Sequence, residues 1–168
     1  MMTGVKIQVI ADTKEVTRMV SRLIRRMENP TAYVANVIRY VKAVTNLMFR
    51  KRPDNAPVRG ESWPKLSEST LKRKISLGQP RRPLIATSTM FESIKVLYKS
   101  KFGFIFGTKL VSKDGFPYPA VHNVGGSIPG RPPRRTWLFL TKRDYAQLLQ
   151  MAIAYLEDRK VDVRGASD

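Results

Sequence analysis

Two apolar stripes of helical period, parted by one Asn-Pro step, limit what this chain can fold into more than any other feature. Val16, Met19, Val20, Leu23, Ile24 and Met27 recur at spacings of three and four, and Arg18, Arg22, Arg25 and Arg26 lie largely off that stripe. Asp12 or Thr13 supplies the N-cap, and Glu15 sits in the first turn, where the helix dipole favours an acid. Asn29-Pro30 ends this helix, because proline disfavours the helical conformation of the residue before it. Pro30 then opens a second helix at its first position. Val34, Val37, Ile38, Val41, Val44, Thr45 and Met48 carry that helix to about Arg52, which is about six turns. Both stripes are expected in the core, with one helix face free to serve a subunit contact instead.

Strand signals flank this helical pair. Val5, Ile7 and Val9 alternate with Lys6 and Gln8. Further on, Ile94, Val96 and Tyr98 alternate with lysines, and Phe102, Phe104 and Phe106 alternate with Gly103, Ile105 and Gly107. The two runs meet at Ser100-Lys101 as a hairpin with phenylalanine set opposite glycine. Between strands and helices, 53–64 and 79–83 are proline-rich loops, and 109–115 is polar and expected to be flexible. Ser67 caps a short helix that ends near Gly78. Trp137 to Leu140 is a short apolar strand or linker. Thr141 or Asp144 starts a last helix, with Tyr145, Leu148, Leu149, Ala152, Ile153 and Leu156 as its stripe. The expected fold is α+β: a small antiparallel sheet packed against two long N-terminal helices and a C-terminal helix, one domain over 1–160 with a disordered tail over 161–168.

Composition narrows the function classes. With 168 residues, 42% hydrophobic and 26% charged, the chain suits one globular domain. It has no Cys and one His, so thiolate and multi-histidine metal sites are excluded. No apolar run approaches the roughly 20 residues that span a bilayer, and the N-terminus does not read as a signal peptide, so the chain is expected in the cytoplasm until it is assembled. The formal net charge is +18. Basic residues concentrate at Arg50, Lys51, Arg52, Lys72, Arg73, Lys74, Arg81 and Arg82, and again at Arg134 and Arg135. A solvated basic loop, a nucleic-acid contact and docking onto an acidic protein ring all fit that pattern.

Single residues give few chemical leads. His122 is the one candidate general base, but no carboxylate has motif-like spacing to it. A structural role is favoured: 119–123 reads as one helical turn whose open carbonyls are bonded by His122 and Asn123 while glycine takes a left-handed conformation. Gly125-Gly126-Ser127 lacks the Lys-Ser/Thr of a nucleotide-binding loop and reads as a turn. Trp63 is favoured as a loop anchor over a base-stacking platform. The Gly130 to Arg135 segment is stiff and cationic, either a docking arm or an exposed connector.

Residues 60–66 with Thr70, 84–94, 118–126, and 128–131 with Trp137-Leu138 stand in a fixed order, and in that order they resemble the virion morphogenesis family of tail-completion proteins found in Mu-like phages. Gly60-Glu61-Ser62-Trp63-Pro64-Lys65-Leu66 with Thr70 is similar to its "G-x-x-W-x-x-L…T". Leu84 to Ile94, with Thr87 and Ser93, is similar to "L…T-G-x-L-x-x-S-I". Tyr118 to Gly126, with His122, Gly125 and Gly126, is similar to "Y-A-x-x-H-x-x-G-G". Ile128-Pro129-Gly130-Arg131, with Trp137-Leu138 further on, is similar to "I-P-x-R-x-F-L". Ser88 stands where glycine is usual, Met90 replaces leucine, and Pro119 replaces alanine. Extra residues at 132–135 leave open whether Arg131 or Arg135 holds the family position. The resemblance implies a non-enzymatic α+β protein of the phage neck or tail end, with no cofactor, that joins or completes the tail, in rings commonly of six. It implies neighbouring neck, connector or tail-terminator proteins as partners, and DNA passing through the ring. A free nucleic-acid-binding protein and a tail-tube terminator are the alternatives.

Overall fold

The computed structural model describes residues 13–49, 58–125 and 133–159. The N-terminal strand expectation, the end of the second helix at 50–52 and the tail lie outside them. In chain order the elements are α1 (Thr13–Glu28), α2 (Thr31–Phe49), α3 (Glu68–Ser76), α4 (Thr89–Glu92), β1 (Lys95–Lys99), β2 (Phe104–Gly107), α5 (Tyr118–Val124) and α6 (Lys142–Leu156). The fold class is α+β. The Asn29-Pro30 break falls between α1 and α2 as the sequence requires.

α2 is the axis of the molecule. Tyr40 and Val44 pack against Met151 of α6, with Tyr33, Val37, Leu140 and Leu148 around them. At its end, Met48 and Phe49 enter a second cluster with Trp63, Ile85, Met90 and Trp137. There the ring of Phe49 stands 5.8 Å from Trp63, 5.2 Å from Phe91 and 6.2 Å from Trp137. Loops, not the sheet, thus supply most of this core. Each buried indole also places its one polar atom, as burial demands: Trp63 Nε1 donates to Thr136 O at 2.7 Å and Trp137 Nε1 to Pro119 O at 2.9 Å.

The hairpin differs in detail from the alternating pattern. Ser100 to Gly103 form the turn, closed by the Ser100 amide on Gly103 O at 2.8 Å, while Ser100 Oγ accepts from the amides of Phe102 and Gly103. Phe102 is therefore an exposed turn residue and not part of the strand. A bulge lies between Val96 and Tyr98, so Val96 faces Phe106, Tyr98 faces Ile105, and Gly107 opposes Lys95. No phenylalanine faces glycine. The 109–115 loop folds back on itself: the Ser112 amide donates to Phe116 O and the Gly115 amide to Ser112 O.

α6 begins with a capping box, Thr141 Oγ1 accepting from the Asp144 amide while the Asp144 carboxylate accepts from the Thr141 amide. Its buried face is rotated from the expected one. Asp144 and Met151 are buried, whereas Tyr145 and Leu149 are exposed. The rotation follows from Asp144, which must point inward to reach its partners on α2 and in the 58–61 turn.

α1 meets the body through α6. Arg26 bonds the carbonyls of Tyr155 and Leu156, pairs with Asp158 and lies over the Tyr155 ring. Tyr155 Oη donates to Asn29 O at 2.8 Å. The polar edge of α1 therefore does the docking, and the apolar stripe does not enter the core. Val16, Met19, Val20, Ile24 and Met27 are 47–66% exposed, and no residue of α1 is buried.

Candidate functional site

The motif segments converge in space. Val58 and Glu61 exchange backbone hydrogen bonds at 3.0 and 3.1 Å, with Arg59 and Gly60 both at positive φ between them. That is a two-residue hairpin loop of the kind that favours glycine at its second position. It delivers Trp63 into the core. The next residues are fixed by Arg135, whose guanidinium donates to Pro64 O and Lys65 O. The Arg135 amide in turn donates to His122 O at 2.7 Å.

Asn123 completes the link. Its Oδ1 accepts from the amides of Trp137 and Leu138, each at 2.9 Å, and its Nδ2 donates to Leu138 O at 3.2 Å. This corrects the expectation that Asn123 bonds open helix carbonyls: it acts as a strand-like partner for the chain after Arg135. Pro119 occupies the first turn of α5, the position a proline tolerates. Gly125 ends α5 at φ +82 with an extended ψ, not the left-handed helical value expected, and a side chain there would strike Arg134 Cβ at 2.6 Å.

Thr70, Thr87 and Ser93 set local turns. Ser67 caps α3, its Oγ accepting from the Thr70 amide at 3.3 Å and donating to Thr70 Oγ1 at 2.8 Å. Thr87 Oγ1 bonds Thr89 Oγ1 at 2.6 Å. Ser93 Oγ donates to Met90 O and bonds Thr108 Oγ1, tying α4 to the exit of β2. Ser88 holds φ 61° and ψ −5° and makes no side-chain cap bond. The backbone of that turn is one glycine adopts freely and serine adopts at a cost. Ser88→Gly is therefore expected to stabilise the fold by about 1 kcal/mol, read as a higher denaturant midpoint with unchanged slope.

These elements enclose a groove of about 690 Å³ lined by Leu66, Thr70, Thr87, Tyr118 and His122 among others. Lys65, Arg73, Lys74 and Arg135 also line it, and no Asp or Glu does among the described residues. His122 is half-buried. Burial and the Arg135 charge pull its pKa below the ordinary histidine value, against a backbone hydrogen bond at Pro133 that raises it. Its Nδ1 is buried without a hydrogen-bond partner among the described residues. Among the described residues no Asp or Glu lines the groove to orient His122. Among the described residues no three His, Cys, Asp or Glu side chains stand close enough to hold a metal.

Two of the basic residues expected on the surface are internal. Lys74 and Arg135 are each 6% exposed. Lys74 Nζ donates to Pro80 O at 2.9 Å and Ile85 O at 2.5 Å, and desolvation, then the Arg73 charge, lowers its pKa. Desolvation likewise lowers that of Arg135. Arg82 is half-buried and donates to Phe49 O. Lys72, Arg73, Arg81 and Arg134 are exposed, with Arg134 donating to Thr136 Oγ1. Arg50, Lys51, Arg52, Gly126, Pro129 and Arg131 lie outside the described residues. Trp63 is buried and offers no face for stacking on a base.

A second polar centre gathers on Asp144. Asp144, buried on α6, accepts from Tyr40 Oη at 2.6 Å, Thr141 Oγ1 at 2.6 Å and the Thr141 amide at 2.5 Å, and pairs with Arg59. A single acid three residues after a Thr N-cap is an ordinary capping signal, and only the Tyr40 and Arg59 contacts mark it as more. No described helix is long and apolar enough to cross a membrane. No protein-family model matches the chain, and neither a curated protein nor a solved structure matches it. The family resemblance therefore rests on the four motif segments.

Proposed function

We propose that this chain is a structural subunit of a phage neck or tail end, one that forms a ring with copies of itself and joins or completes the tail without catalysing a reaction. The observation that carries this reading is the apolar stripe of α1. A helix whose polar edge docks on its own domain and whose Val16, Met19, Val20, Ile24 and Met27 face solvent is built for an outside partner. The order of the motif segments names the class of assembly. Their spatial role supports it: Trp63, Arg135, Asn123 and Trp137 brace the fold through hydrogen bonds between distant segments. With a net charge of +18, copies repel at long range, so a short-range apolar contact has to hold a ring together.

Substituting Val20→Asp together with Ile24→Asp tests this. Both sites are about half exposed, so the fold is expected to lose less than about 1 kcal/mol. The assembled species, by contrast, is expected to fall to a 19.1 kDa monomer in sedimentation. An assembly that survives both aspartates removes α1 as the contact.

The second reading, a free nucleic-acid-binding protein, is favoured by the exposed Lys65, Lys72, Arg73, Arg81 and Arg134. It predicts DNA binding by the isolated chain that falls steeply with salt. In the ring reading the same cations face DNA in the lumen or an acidic neighbouring ring.

A further inference from the structure

Lys74 and Arg135 have no carboxylate within ion-pair distance among the described residues, although both are buried. Buried charges are ordinarily paired, because an uncompensated one forfeits its hydration with nothing in return. Backbone carbonyls satisfy part of each. Lys74 places two of its three hydrogens on Pro80 O and Ile85 O. Arg135 uses Nε and Nη2, and its Nη1 has no acceptor among the described residues. Among the described residues, what is missing is negative charge.

Both cations line the same groove, whose rim adds the exposed Lys65 and Arg73 and whose floor includes Leu84, Ile85 and Met90. Leu84 and Ser88, also in its wall, hold left-handed backbone at φ 57° and 61°, a strain that folds keep where a site must be shaped. We infer that this groove receives a short extended segment of a partner protein bearing carboxylate and aliphatic side chains, the carboxylate set against Lys74 and Arg135 and the aliphatic groups on the Leu84–Met90 floor. Charge complementarity selects the carboxylate, and the floor selects its apolar neighbours. Single-stranded nucleic acid is the weaker fit. Its binding sites set successive bases on aromatic platforms beside a backbone-tracking basic groove, and the described lining offers Tyr118 and the half-buried His122 ring as its aromatic side chains, with no Phe or Trp. The inference does not depend on ring formation, since it uses none of the α1 stripe.

His122 lines this groove and is the only histidine in the chain, so its imidazole proton signals in NMR report occupancy directly. The probe is an acetylated, amidated tetrapeptide of two leucines and two aspartates, set against its leucine–asparagine counterpart and a short oligothymidylate. The aspartate peptide is expected to shift the His122 signals saturably, with the asparagine peptide at least about tenfold weaker. Reversing the exposed rim with Lys65→Glu and Arg73→Glu is expected to weaken the aspartate peptide by about tenfold as well, while the melting curve stays in place. Unmoved His122 signals, or equal response to both peptides, overturn the inference. So does a response to the oligothymidylate stronger than that to the aspartate peptide, which reassigns the groove to nucleic acid.

Discussion

Replacing Trp137 by alanine is expected to cost about 3–5 kcal/mol of folding stability, the range for removing a large buried aromatic side chain. The indole fills the space between Phe49 and α5, is 4% exposed and spends its N–H on Pro119 O. Alanine leaves both a cavity and an orphaned carbonyl. Trp137→Phe separates the two effects: it keeps most of the ring and loses the donor, for an expected cost of about 1–3 kcal/mol. Since domains hold only about 5–15 kcal/mol in total, the alanine variant is expected to unfold at a much lower denaturant midpoint, followed through the remaining Trp63 fluorescence. A change below about 1 kcal/mol contradicts the picture of the motif segments as the brace of the core.

Asp144→Asn is expected to cost about 3 kcal/mol or more, because it strips the counter-charge from Arg59, whose side chain is 13% exposed. The variant also separates charge from shape, since asparagine keeps the size and can still cap α6. pH gives an independent check. Burial on its own raises the Asp144 pKa, but hydrogen bonds from Thr141 and Tyr40 and the Arg59 charge outweigh it and hold the carboxyl below its ordinary value. The native state therefore binds this proton less readily than the unfolded chain does. That part of the stability is complete above the ordinary carboxyl range and lost as pH falls through the depressed native value. Tyr40 mirrors it at the other end. Burial and then Asp144 push its phenol up to about 12, so its contribution is complete below pH 10 and lost as pH rises toward 12. Asp144→Asn is expected to flatten the acid limb of a stability–pH curve. An acid limb of unchanged depth means that other carboxylates carry it.

What the sequence made legible is what short-range rules control. The Asn29-Pro30 break, the Ser67 cap, the Gly78 stop of α3 and the Thr141 start of α6 follow from local backbone chemistry, and the structure has them. Register and facing were harder. The bulge at β1 and the turn that takes Phe102 out of the hairpin depend on hydrogen bonds that periodicity does not encode. The face of α6 turns on one buried acid, and its Tyr40 and Arg59 partners lie 104 and 85 residues away in the chain. The basic run 72–74 leads to the expectation that Lys74 faces a partner or DNA, and the structure buries it. Lys74 follows Thr70 and Leu71 by four and three residues, the spacing of a shared helix face, and that was the available signal for its burial. Arg135 had no such signal, because the carbonyls it holds are 70 and 71 residues distant. The α1 stripe is plain in the sequence, but its expected place in the core is not the one the structure gives it. Nothing within the helix says whether the domain itself or another chain covers it.

The central claim is that this domain works by assembling with copies of itself, and the molar mass of the purified protein in solution tests it most directly. Light scattering at moderate salt, where repulsion between +18 subunits is screened, is expected to give a discrete multiple of 19.1 kDa. A mass of one subunit at every concentration and salt contradicts the account.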